Sequence, residues 1–167
     1  MSRRLVALAL LLLMLCSLTL SATNANAVVA TEYDSELLKA GIRFIPPQGW
    51  ERISSSDLMV VFILRGRAKM AVSLPMRSNP VSFQLSLATW RAANKPISED
   101  KITFSDVPCH VFLSRVVHKE GIPLKQKDYH FLKDGFMYRL VYAAPIEDFE
   151  RYLPDFEKAL MTFELVR

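Results

Sequence analysis

Alternation of apolar and polar residues marks the second half of the chain and predicts strands over residues 101–105, 109–118, 127–133 and 136–143. Asp134-Gly135 separates the last two by a two-residue turn of the kind hairpins favour. That turn sets Phe131 opposite Tyr138 and Tyr129 opposite Leu140. A three-residue loop at Glu120-Gly121-Ile122 sets Val111 opposite Phe131 and Leu113 opposite Tyr129. Both registers gather Val111, Leu113, Val117, Tyr129, Phe131, Tyr138, Leu140 and Tyr142 onto one face, and a slip by one residue would scatter that set. The pattern is an antiparallel meander with one packed face.

The first half is more varied. Residues 31–39 read as a polar lead-in with a turn of helix, and residues 42–45 as a strand stopped by Pro46-Pro47, since proline cannot donate to a ladder. Gln48-Gly49-Trp50 then supplies a turn and an aromatic anchor. Runs at 58–64 and 70–74 predict a hairpin with Arg65-Gly66-Arg67 at its tip, and Ser54-Ser55-Ser56-Asp57 before it reads as a turn or capping segment. Asn79-Pro80 is a helix start, with proline at the first helical position, and the helix is predicted over 80–94. Val81, Leu85 and Ala88 are expected on its inner face. Near the end, Phe149, Leu153, Phe156, Leu160 and Phe163 recur at helical spacing and must cover a sheet. Pro154 interrupts that stripe, which predicts a short helix, a break or kink, and a second helix.

The most apolar stretch lies at the other end of the chain. Residues 5–20 carry no charge, follow Arg3-Arg4, and lead to Ala25-Asn26-Ala27, with small residues at both positions a signal peptidase reads. The run falls short of the roughly 20 apolar residues that span a bilayer. Residues 1–27 are therefore expected to be a secretory signal cleaved after Ala27, followed by a lead-in at 28–40 and a single domain at 41–167. The leucine-rich core favours the general secretory route over a twin-arginine signal, and Leu15 before Cys16 fits a lipoprotein site poorly. An exported, periplasmic protein is the expectation. Removing the signal deletes two of the 21 basic residues and none of the 17 acidic ones, which halves the formal charge of +4. A strongly basic nucleic-acid binder is thereby disfavoured. It also leaves Cys109 as the single cysteine, in apolar strand sequence, so burial is expected rather than a disulfide.

A family resemblance enters on particular residues. Gly41-Ile42-Arg43-Phe44-Ile45-Pro46-Pro47-Gln48-Gly49-Trp50 resembles the opening of PsbP-like proteins, where a strand runs into a Pro-x-Gly-Trp turn. Asp134-Gly135-Phe136-Met137-Tyr138-Arg139-Leu140 with Ala143-Ala144-Pro145 is similar to the same family. So is the closing segment Tyr152-Leu153-Pro154-Asp155-Phe156-Glu157 with Met161-Thr162-Phe163. The likeness covers most of residues 41–165 and is weakest over 75–99. One departure is Asp106, where relatives often carry glycine. The resemblance implies an α+β fold, a three-layer α/β/α sandwich on an antiparallel sheet of about six strands. Relatives include photosystem II assembly or extrinsic factors, the Ran-binding Mog family and periplasmic DcrB-like proteins. They are mostly accessory binding proteins, and the fold by itself fixes no function.

His110, His118 and His130 do not converge as a zinc site, which needs three or four ligands: the expected register makes His130 the diagonal neighbour of His110 but sets His118 roughly 20 Å from His130, at about 3.4 Å per strand residue. That register pairs His110 with Leu132 and places His130 opposite Arg139, with the histidines on the solvent side. Cys109 and His110 point to opposite faces of one strand, so His110 cannot activate the thiol. No paired carboxylates, phosphate loop, Gly-x-Ser-x-Gly elbow or His-Glu-x-x-His motif occurs. The expectation is therefore no enzyme, no catalytic residue, no metal and no cofactor. Arg65, Arg67 and Lys69 cluster at one hairpin tip, and Lys119, Lys125 and Lys127 at another; the first is the candidate partner surface. Two function classes follow. The first is an exported accessory protein that supports assembly or stability of an envelope or membrane-associated protein, touching no nucleic acid and meeting the membrane only through its signal or its partner. The second is a small apolar-ligand or lipid-binding protein, for which ten Phe, five Tyr and two Trp would supply pocket walls.

Overall fold

The computed structural model describes residues 33–166, apart from Asp57, Lys119 and the side chains of residues 54–56. The expected signal, its cleavage point at Ala27 and most of the lead-in lie outside the described residues.

The meander expected from alternation is the centre of an eight-stranded antiparallel sheet. In chain order the elements are α1 (Ser35–Lys39), β1 (Ile42–Arg43), β2 (Glu51–Ser56), β3 (Met59–Leu64), β4 (Ala68–Ser73), β5 (Met76–Arg77) and α2 (Pro80–Asn94). They continue as β6 (Ser98–Phe104), β7 (Val107–Val117), β8 (Pro123–Lys133), β9 (Phe136–Pro145), α3 (Phe149–Leu160) and β10 (Glu164–Leu165). The sheet order is β2-β3-β4-β9-β8-β7-β6, with β5 beside β9 and β1 paired separately with β10. The sheet exceeds the expected six strands partly because 54–56, read as a turn, completes β2 by pairing with β3. A run of three serines carries no alternation to read.

Turn chemistry explains which registers were legible. Asp134 and Gly135 both have positive φ, 52° and 75°, and the Asp-Gly turn fixes Phe131 opposite Tyr138 as expected. Between β7 and β8 the loop is longer than read, from His118 to Ile122, so Val111 faces Tyr129 and Cys109 faces Phe131. The correction is a shift of two residues, which leaves every side chain on its expected face. Val117 is the exception in burial: at the end of β7 it is exposed. Ser105 and Asp106 form another positive-φ turn, with Asp106 at 63°. That conformation favours glycine, and aspartate is one of the few other residues that tolerates it.

The two faces of the sheet are covered differently. One carries the main core: Phe62, Met70, Cys109, Phe131, Tyr138, Leu140 and Tyr142 under α3, joined by Leu37 of α1 and by Ile42, Phe44 and Phe163. The apolar stripe of α3 packs there as predicted, with Phe149, Phe156 and Leu160 buried. Helix α3 runs unbroken through Pro154, correcting the expected break. Proline costs one hydrogen bond in the second turn, and packing of the stripe holds the helix on both sides of it. The other face is covered by α2 alone. Asn79 caps α2 by accepting from the Ser82 N–H at 2.9 Å. Its inner face is Phe83, Leu87 and Trp90, packed on Phe112, Leu132 and Met137. The expected inner residues Val81, Leu85 and Ala88 instead face outward, Val81 and Leu85 being 79% and 67% exposed. The helix carries two apolar stripes, and the aromatic one is buried because it removes more apolar area from water.

Candidate functional site

On the α2 side, one row of residues crosses five strands: Met59, Ser73, Arg139, His130 and His110, on β3, β4, β9, β8 and β7. The Arg139 N–H donates to Ser73 Oγ at 2.7 Å and so fastens β9 to the end of β4. Polar residues alternating with the core face read as solvent-facing in sequence, and the structure corrects this for two histidines. His110 and His130 lie directly opposite each other across β7 and β8, only 8% and 5% exposed. Phe83, Trp90 and Phe112 pack around them. His118 stands apart in the β7–β8 loop, its Nδ1 near the Glu120 carboxylate at 3.8 Å. Among the described residues no group of three or more His, Cys, Asp or Glu is placed to hold a metal ion.

Beside this row Asp128 forms a buried ion pair with Arg139 that sequence reading missed. Asp128 is fully buried and accepts from Arg139 Nε at 2.8 Å and from Gln126 Nε2 at 2.7 Å. Burial pushes the Asp128 carboxyl upward, and the Arg139 charge and these hydrogen bonds pull against it. His130 is pushed down to about 3, first by burial and then by the charges of Arg139, His110 and Arg91. It is therefore neutral at physiological pH, and its Nε2 has no hydrogen-bond partner among the described residues. At the far end Glu99 joins Arg91 and His110, with Arg91 Nε at 2.8 Å and His110 Nδ1 at 3.0 Å. The Arg91 hydrogen bond is the main reason the Glu99 carboxyl falls to about 2. The paired arrangement balances charge: Arg139 with Asp128, Arg91 with Glu99.

Helix α2 does not reach the β3–β4 side of this face, and a groove of about 260 Å³ opens between them. Its walls are Leu58, Met59, Met76, Met137 and Trp90, with Ser86 on the helix and Ser73, His130 and Arg139 in the floor. The Trp90 indole N–H is buried without a partner among the described residues. Sequence gave two usable signals, the methionines flanking the helix and Trp90 on its aromatic stripe. Neither identifies a groove without knowing where α2 stops covering the sheet.

The basic residues divide. Arg65 is on the β3–β4 turn, with positive φ of 47°, and is exposed. Arg67 turns back to Asp148 at the start of α3, 3.2 Å away. Lys69 lies on the α2 side of β4, where it and Arg67 flank a second concavity of about 320 Å³ lined by Ile53, Val61, Ile63 and His118. At the other expected cluster, Lys125 and Lys127 pair with Glu150 and Glu157 and tie β8 to α3. Lys119 lies outside the described residues. Cys109 is in the main core, its thiol pushed up to about 12 by burial, which suppresses the nucleophilic thiolate.

No family model matches this chain, and no curated protein does. Solved structures do. Cyanobacterial PsbP from Synechocystis sp. PCC 6803 superposes with a TM-score of 0.55 at 13% identity, covering 80% of this chain and 90% of that one. A Pseudomonas aeruginosa protein of unknown function, described as a putative regulator, gives 0.53 at 12% identity over 68% of this chain and 93% of that one. A Bacteroides thetaiotaomicron VPI-5482 protein gives 0.57 at 10% identity over 76% of this chain and 46% of its own length. At such identities the likeness is one of architecture, and it agrees with the strand order and helix placement above: this chain has the PsbP-like fold.

Proposed function

We propose that the mature chain is an exported, non-catalytic accessory domain that docks on another envelope or membrane-associated protein. The export half of this reading is supported by the n-region, apolar run and Ala-x-Ala site of residues 1–27. The docking half is carried by the incomplete helical layer. Leu58 and Met76 stay exposed at the rim of the groove, and a rimmed apolar surface on a small domain is where partners bind. Arg65, Arg67 and Lys69 then form a second contact, of which Lys69 and Arg67 border the neighbouring concavity.

The ligand-carrier reading is favoured by the groove itself, since it is concave and apolar with polar atoms in its floor. Its volume of about 260 Å³ lies just below the roughly 300–1,000 Å³ of small-molecule sites, and its open rim suits a partner side chain better than a whole lipid. The test is affinity capture from the native envelope with intact mass recorded on the same sample. A Ser86→Trp variant, which plugs the groove from the helix surface, is run in parallel. A mature mass beginning at Val28 with one reproducible partner, lost from the Ser86→Trp sample, is the expected result. A partner retained by the plugged variant removes the groove from the reading, and a co-purifying small molecule without a protein replaces docking by ligand carriage. Truncating Arg65, Arg67 and Lys69 together is expected to weaken capture; unchanged capture removes that surface.

A further inference from the structure

The groove has a more specific chemistry than an apolar patch. It is lined by three methionines, Met59, Met76 and Met137, together with Leu58 and the Trp90 ring. Thioethers are adaptable and make favourable contacts with aromatic rings, which favours a ring over an alkyl chain. The volume of about 260 Å³ is ample for one ring, since a buried cavity of about 150 Å³ accepts benzene. Two residues that line it each carry a buried polar atom with no hydrogen-bond partner among the described residues. The Trp90 indole N–H can only donate, whereas Nε2 of the buried, neutral His130 donates or accepts according to tautomer. The two rings lie 5.3 Å apart, edge to face. A hydroxyl accepts and donates at once, so it can answer both. A carboxylate cannot donate, and Arg139 is already neutralised by Asp128, so a second buried anion there would lack a counter-charge.

We propose that the groove is a site for a neutral phenolic ring, presented as the tyrosine side chain of the docked partner, with its hydroxyl directed at His130 and Trp90. The partner half of this assignment rests on the docking reading above; the phenol half does not. The ring lies among the three methionines. The hydroxyl meets polar groups that are otherwise buried without partners, and leaving such groups unpaired is what discriminates against a ring lacking the hydroxyl.

The experiment titrates isotope-labelled protein with p-cresol, toluene and p-toluate, following amide and His130 ring resonances by NMR. p-Cresol is expected to shift the resonances of Met76, Trp90, Met137 and His130, and to bind about fivefold more tightly than toluene, with p-toluate weakest. Ser86→Trp is expected to abolish binding of all three. His130→Phe, checked for native spectral dispersion, is expected to keep ring binding while narrowing the preference for p-cresol. If toluene binds as tightly as p-cresol, or shifts map elsewhere, or none of the three binds, the phenol assignment is overturned. These outcomes are separable from the docking reading. Failure of p-cresol together with a captured partner sensitive to Ser86→Trp overturns only the phenol. p-Cresol selectivity with no captured partner leaves the phenol site standing and overturns its presentation by a protein.

Discussion

The two faces of this sheet are built from the same strands and solve burial in opposite ways. Toward α3 the face is aromatic and dry: Phe131 stacks on Tyr138 at 5.1 Å, Tyr142 on Phe156 at 5.3 Å, and the Tyr142 hydroxyl donates to the Phe149 carbonyl at 2.7 Å. Toward α2 the central row is Arg139, His130 and His110, with Asp128 beside it, and part of the face is left without a helix. The first arrangement makes the domain stable. The second keeps polar groups under an incomplete cover, where a partner can still change their environment. The contrast is the physical basis for proposing a contact surface on the α2 side.

The sharpest way to break the comparison is to damage each face at its centre. Phe131→Ala is expected to cost about 3–5 kcal/mol, the usual range for emptying a buried aromatic site, measured as a fall in the urea midpoint. On the other face Asp128→Asn is expected to cost about 3 kcal/mol, because it leaves Arg139 without its counter-charge. Arg139 is partly open to water through the groove, which keeps this cost at the lower end. The double replacement Asp128→Leu with Arg139→Met separates packing from charge. It is expected to return stability to within about 1 kcal/mol of the wild type, as buried pairs replaced together usually do. If the double variant stays as unstable as Asp128→Asn, the pair is not an isolated unit on an apolar face.

What the sequence made legible follows the same division. The aromatic face could be read from alternation because apolar residues every second position admit one inward side, and Asp134-Gly135 fixes the register of β8 on β9. The β7–β8 register could not be read, since a shift by two residues satisfies the alternation equally well and only the loop length, His118 to Ile122, decides it. Alternation points His110 and His130 to solvent because they, like Asp128 and Arg139, occupy its outward positions. Their burial depends on α2, which comes from elsewhere in the chain and packs across them. Neither the groove nor the buried pair is therefore a local property of any segment. The basic residues were legible as a cluster, but not the way Arg67 turns to Asp148.

A pH series sharpens the comparison without changing bulk packing. His130 is held neutral at about 3 in the folded protein, against 6.5 for an unperturbed histidine. Its folded pKa is thus depressed, so the unfolded chain takes up a proton that the native state refuses. Stability is complete above about pH 6.5 and is lost as the pH falls from there toward 3, by up to about 1.4 kcal/mol per unit. Between pH 7 and pH 5 the wild type is expected to lose about 2 kcal/mol more than His130→Phe, read from urea midpoints at each pH. Exposed His118 cannot produce this difference, since both proteins keep it. Equal losses in the two proteins would mean that His130 becomes protonated in the native state, and that the α2 side is wetter than its burial indicates.

The smallest expected effect tests the correction on which the α2 side depends. Val81 and Leu85 were placed inward by their spacing, and the structure turns them out while Phe83, Leu87 and Trp90 face the sheet. If that is right, Leu85→Ala costs less than about 0.5 kcal/mol, because an exposed leucine loses little burial and alanine is the better helix former. Leu87→Ala, two positions away on the same helix, then costs about 2–5 kcal/mol, since Leu87 is fully buried against Phe112. The ratio of the two losses reports the rotation of α2 about its own axis. Comparable losses at Leu85 and Leu87 would rotate the helix by about a third of a turn or place a second surface over its outer stripe. In the first case Trp90 and Ser86 would leave the groove, and the open part of this face would have to be redrawn.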